Sequence, residues 1–136
     1  MNENKLMQHF EKRGFDLLTA CRLAAFWLWI KREEGDAVSV DEFDCKGGID
    51  GLCECDSYRH DCLVLTDDEA DRLEDEYLDS YIEDCLEIPE NMTYYFDEDA
   101  WKRDARMDGR GHILSSWDGN EHEVEFLGTT YYIFKQ

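Results

Sequence analysis

Residues 62–87 read CLVLTDDEADRLEDEYLDSYIEDCLE, and this stretch decides the fold. Cys62 to Leu65 is a short apolar strand candidate that runs straight into a helix start. Thr66-Asp67-Asp68-Glu69 is a capping box, in which the Thr hydroxyl and the Glu carboxylate satisfy free backbone N–H groups reciprocally. Acids in the first helical turn also suit the positive end of the helix dipole. Ala70, Leu73, Tyr77, Tyr81, Ile82 and Cys85 recur at helical spacing and predict the buried stripe, and Pro89 ends the helix.

Upstream, Leu6, Phe10, Leu17, Cys21, Ala24 and Leu28 predict a second helical stripe over residues 1–34, with Gly14 as a break. From Leu23 to Ile30 that helix is apolar nearly all round, with Trp27 and Trp29 on different faces. This pattern suits a central core helix, or alternatively an aromatic surface that grips a homodimer mate or another protein. Residues 36–44 alternate like a short strand. Downstream, residues 97–107 predict a helix with Ala100 and Trp101 inward. Segments 112–117, 121–126 and 129–134 read as a three-stranded antiparallel meander, with turns at Asp118-Gly119-Asn120 and Leu127-Gly128. The reading is a single α+β domain over residues 1–136, with two or three helices packed on a small antiparallel sheet.

Of 136 residues, 34 are acidic and 14 basic, a net charge of −20, yet 43% are hydrophobic and 13% aromatic. The aromatics exclude a disordered acidic tail. The charge argues against direct nucleic-acid binding and against an anionic membrane surface, both of which need Lys and Arg. Neither a signal peptide nor a membrane span is evident, since the longest apolar run is Leu23–Ile30, so a cytoplasmic location is expected. Residues 1–34 hold six bases and five acids, so the other 102 residues carry −21. Eleven of those acids lie between Asp67 and Glu87, against Arg72 alone. At about 1.5 Å of rise per residue they fall about 3 Å apart, near the charge spacing of one DNA strand. Asp67, Asp68, Glu69, Asp71, Asp75, Glu76, Asp79, Glu83 and Asp84 are therefore the candidate surface for a basic nucleic-acid-binding cleft. No base at i+4 is placed to relieve this density, and a cost without local compensation suggests a use.

Cys45, Cys53, Cys55 and Cys62 cluster with His60 in a glycine-rich segment and are the candidate metal ligands. Zinc takes four such donors, but the lone C-x-C spacing fits no known zinc module, and incidental thiols explain it more simply. Cys21 and Cys85 lie on apolar helix faces and are expected to be buried. No catalytic motif is present, and no enzyme is expected. His112 and His122 would face each other across the first two strands of the meander, a poor metal or acid–base site. In Asp108-Gly-Arg-Gly-His, glycines 109 and 111 are read as turn residues needing positive φ.

Leu63–Asp71 (LVLTDDEAD) and Asp108–Gly119 (DGRGHILSSWDG) resemble the recurrent marks of small acidic proteins from bacteriophages and mobile elements, over residues 62–134. Residues 81–109 are similar, more weakly, to the C-terminal part of ArdA-type antirestriction proteins: Tyr81-Ile-Glu-Asp, Pro89, then Tyr95-Phe-Asp and Arg103-Asp104. The second resemblance implies an elongated acidic dimer that mimics bent DNA and blocks type I restriction enzymes. Together they imply an inhibitor of host defence, its target a CRISPR effector or a restriction enzyme in the bacterial cytoplasm. The aromatic helix as a partner-binding module and a small zinc-bound regulator are the alternatives.

Overall fold

The computed structural model describes residues 2–34, 39–45, 54–56, 61–84 and 96–136. Helix α1 (Glu3–Lys12) starts where the Asn2 side chain accepts a hydrogen bond from the Lys5 N–H at 2.8 Å. It ends at Gly14, whose φ of +105° sets the corner before α2 (Leu17–Glu34). Asp16 opens α2 by accepting from the Thr19 N–H at 2.7 Å. The expected break at Gly14 is therefore a turn between two helices.

Among the described residues, five strands follow the helical start: β1 (Asp44–Cys45), β2 (Glu54–Asp56), β3 (Asp61–Thr66), β4 (His122–Phe126) and β5 (Thr129–Lys135). They form one antiparallel sheet in the order β1-β2-β3-β5-β4. Alternation along β3 and β5 supplies two apolar faces. Cys62, Val64, Tyr131 and Ile133 join α1 and α2 on one side. Leu63, Leu65, Tyr132 and Phe134 join α3 (Asp67–Asp84) and α5 (Arg110–Leu114) on the other. A further helix, α4 (Glu98–Arg106), is capped by Asp97 accepting from the Ala100 N–H at 3.0 Å. Helices on both sides of an antiparallel sheet make this an α+β fold.

Helix α2 is the central core helix, with Leu23, Ala24, Ala25, Phe26, Trp29 and Ile30 buried. Burial of Trp29 removes it from any docking surface, and the half-buried Trp27 carries Lys31 over its ring.

Two strand expectations are corrected. Of residues 36–44, only 39–44 are described, and they form a 3-10 turn (Val40–Glu42) followed by the start of the two-residue β1. Ser39 caps that turn, and Arg13 holds the Phe43 carbonyl at 2.6 Å. Residues 112–117 are no meander strand, because Arg110–Leu114 is helical and β3 is the third partner of the C-terminal strands. Sterics favour this packing, because a side chain on Gly111 would meet backbone atoms of Asn120 and Glu121, and the bare glycine lets α5 press against that segment.

The stripe on α3 is corrected too. Its buried residues are Ala70, Glu74 and Leu78, with Leu73 and Ile82 half-buried as the expected stripe requires, whereas Tyr77 and Tyr81 are exposed. Cys85 and Pro89 lie outside the described residues.

Candidate functional site

The capping box forms as the sequence requires. The Thr66 N–H donates to Glu69 Oε1 at 2.9 Å, and the Glu69 N–H lies 3.4 Å from Thr66 Oγ1. Arg22, largely buried, reaches across from α2 and grips both Glu69 oxygens at 2.5 and 2.9 Å. It also donates to the Val64 carbonyl at 2.9 Å. Burial works against the ionised Glu69, but the hydrogen bonds from Arg22 and Thr66 outweigh it and hold the carboxyl below its ordinary range. Glu69 is thus a structural anchor and drops out of the expected contact surface.

The other acids of α3 meet cations that arrive from far along the chain. Arg110 donates to Asp67 at 2.8 Å, to Asp71 at 3.0 Å and to Glu121 at 2.6 Å, with its guanidinium 4.6 Å from the centre of the Tyr132 ring. Arg106 pairs with Asp75 and with Glu74 at 3.4 Å. Lys102 pairs with Asp79 and with Glu98 at 3.5 Å. Arg72 sits 3.8 Å from Glu76 at the i+4 position. The density is therefore relieved, mainly by tertiary contacts that no local spacing reveals. Among the described residues, Asp68 and Glu83 have no ion pair, and nothing is described of the Asp84 side chain. Asp67, Asp71, Asp75, Glu76 and Asp79 stay more than half exposed even when paired.

Glu74 is the strained member of the set. Its side chain is buried, and Oε2 has no hydrogen-bond partner. Burial pushes its carboxyl above the ordinary range despite Arg106 nearby.

Sequence reasoning missed an aromatic row. Tyr77 and Tyr81 stack at 6.3 Å with 28° between their planes, and Tyr81 stacks on Trp101 of α4 at 5.6 Å and 15°. Tyr77 is 50% exposed, which a buried stripe does not allow. The competing stripe at 70, 74 and 78 is interrupted by Glu74, and that acid disguises it.

The remaining candidates resolve unevenly. Strand register sets Cys45 opposite Cys55 and Cys55 opposite Cys62, while Cys53 and His60 lie outside the described residues. Cys62 is fully buried in the core, and Cys21 is half-buried with its thiol pushed up by burial and then by Glu11. Among the described residues no group of three metal-ligating side chains is assembled. His112 is exposed on α5 and does not face His122, contrary to expectation.

His122 instead lies 2.8 Å from Asp118 and tilts against Trp29 at 4.9 Å. Asp118 also accepts from Ser115 Oγ and from the Asn120 N–H, each at 3.0 Å. Burial opposes its ionisation, but these donors hold the carboxyl down at about 2. Ser115, Asp118 and His122 are together, with the carboxylate standing between the other two, so Ser115 Oγ bonds to Asp118 and the imidazole lies on the far side of that carboxylate. Ser115 Oγ also meets the N–H groups of Trp117 and Gly119 at 3.3 Å, which makes the cluster a brace for the turn. Gly109 and Gly119 have the expected positive φ, at +89° and +69°, whereas Gly111 is required by close approach alone.

Neither a family model, nor a curated protein, nor a solved structure matches this chain. No helix among the described residues is long and apolar enough to cross a membrane.

Proposed function

We propose that this protein is a phage- or plasmid-encoded inhibitor of a bacterial defence system, acting in the host cytoplasm. It occupies the basic cleft of a nucleic-acid-binding protein, such as a CRISPR effector or restriction enzyme, by presenting carboxylates where that cleft expects phosphates. One observation carries this reading: α3, about 27 Å long at 1.5 Å per residue, carries a series of half-exposed carboxylates held in place by ion pairs. Fixed carboxylates lose little freedom on docking, so more of the electrostatic attraction is kept as affinity. The net charge of −20 steers the approach to a basic partner. The resemblance of residues 62–134 to acidic phage proteins points the same way.

The test is inhibition of DNA cleavage by a purified CRISPR effector or type I restriction enzyme. Asp68→Lys, Glu76→Lys and Glu83→Lys are combined, since none of these acids is held by a distant part of the chain. Inhibition is expected to weaken by at least about tenfold in the variant and to fall with salt in the parent. Unchanged inhibition by a folded triple variant, together with inhibition by the parent that ignores salt, would refute mimicry.

A second reading, a small zinc-bound regulator, is favoured by the strand register that aligns Cys45, Cys55 and Cys62. Zinc analysis of the purified protein decides it: one equivalent, lost together with the fold on chelation, supports it, and none refutes it.

A further inference from the structure

Beside the acidic helix lies a hollow of about 270 Å³, lined by Tyr77, Tyr81, Trp101 and Ile113 together with Asp108 and His112. Three of its rings form the stacked row already described, and two of those rings, Tyr77 and Tyr81, are exposed. Rings left in water on a helix whose other outward positions are mostly acids call for an occupant. The hollow is smaller than the roughly 300–1,000 Å³ of a drug-sized ligand site and suits a single side chain.

We propose that this hollow receives an arginine side chain of the basic partner, stacked on the aromatic row and paired with the Asp108 carboxylate. The inference deepens the mimicry reading and rests on it, because it names the chemistry of the group that the partner inserts. Charge complementarity selects the occupant. Glu76, Asp79 and Glu83 are exposed on the same helix as Tyr77 and Tyr81. Lys102, next to Trp101, is already engaged by Asp79 and Glu98. Arg106, also on α4, is likewise engaged by Asp75, so a nucleotide would bring a phosphate towards Asp108 and the outward acids of α3, whereas a guanidinium is drawn by them. Arginine is preferred to lysine because its planar, weakly hydrated head stacks on aromatic faces as well as pairing with carboxylate. Arginines in nucleic-acid clefts stack on bases and bond to phosphates. Here the rings stand in for bases and the neighbouring carboxylates for phosphates.

The experiment titrates the intact protein with acetylated, amidated tetra-arginine and tetra-lysine peptides, following the Trp101 indole N–H by NMR. Long-range attraction is the same for both peptides, so their difference reports the guanidinium head, and the tyrosine variants separate stacking from carboxylate pairing. The arginine peptide is expected to shift the Trp101 signal and to bind at least about threefold tighter than the lysine peptide. That preference should vanish in Tyr77→Leu and in Tyr81→Leu, with helix content checked by circular dichroism. Equal affinities, an unmoved Trp101 signal, or a preference that survives in a folded variant each overturn the proposal. Its failure is distinguishable from failure of mimicry: an arginine preference in a protein whose inhibition ignores salt and the three lysine substitutions keeps the hollow and removes the cleft. Acid-dependent inhibition without an arginine preference does the reverse.

Discussion

The two faces of the sheet are held by different forces. On the α1/α2 side, Phe10, Phe26, Trp29 and Phe43 are fully buried, and Phe26 meets Trp29 at 6.3 Å and Phe43 at 5.1 Å. On the α3 side the fully or largely buried apolar set among the described residues is small: Leu65, Ala70, Leu78, Leu114 and Phe134. There Arg22, Lys102, Arg106 and Arg110 supply what burial does not. A helix this acidic cannot offer a wide apolar stripe, so it is bound by cations from its neighbours. The first face should be indifferent to salt and the second should not.

The largest effect expected is on the apolar face. Phe26→Ala should cost about 3–5 kcal/mol in urea denaturation, unchanged between low and high salt. A loss below about 1 kcal/mol would mean that this face is not the main store of stability. Arg22→Met comes next, at about 3 kcal/mol, because it strands the Glu69 charge and the Val64 carbonyl. Amide exchange should then quicken along α3 before α2. Arg110→Gln is expected to cost about 1–3 kcal/mol, since Asp67, Asp71 and Glu121 lose their shared partner. That penalty should shrink in about 1 M NaCl, where repulsion among the three acids is screened. A penalty that ignores salt would erase the contrast between the faces.

Two smaller effects carry opposite signs in pH. Asp118 is held down at about 2, so its ionised form favours the fold. That contribution is complete above about pH 4 and is lost as pH falls towards 2, so the gap between the parent and Asp118→Asn should close over this interval, by about 1–2 kcal/mol. Glu74 is pushed up, so its neutral form favours the fold, and the benefit present below its ordinary range is lost as pH rises through the raised value. Glu74→Gln should therefore stabilise by up to about 1 kcal/mol at pH 7 and gain nothing near pH 4. Thermal melts at both pH values check it.

What could be read from the sequence was local. Thr66 and Glu69 are three residues apart, and their reciprocal bonds follow from that spacing. Gly14, the α2 core and the strand leading into α3 are legible for the same reason. Arg110 was not, because its partners on α3 lie 39 and 43 residues away. Helix α5 has five residues, too few to show a period of 3.6, and it depends on the contact of Gly111 with residues 120–121. The two possible stripes on α3 differ by less than one turn. With Glu74 in the true one, the tyrosines take its place on paper and stand in solvent in the folded protein.

Strand β4 lies at the end of the sheet order, with Glu123 and Glu125 exposed and the Glu123 carbonyl held by Arg32 at 2.9 Å. An open sheet margin is ordinarily a template for another chain to add a strand. Here two copies meeting along β4 would set glutamates near glutamates, and one backbone acceptor is already taken. The same excess of acid that leaves α3 so dependent on distant cations thus guards the sheet margin against pairing with a second copy of itself.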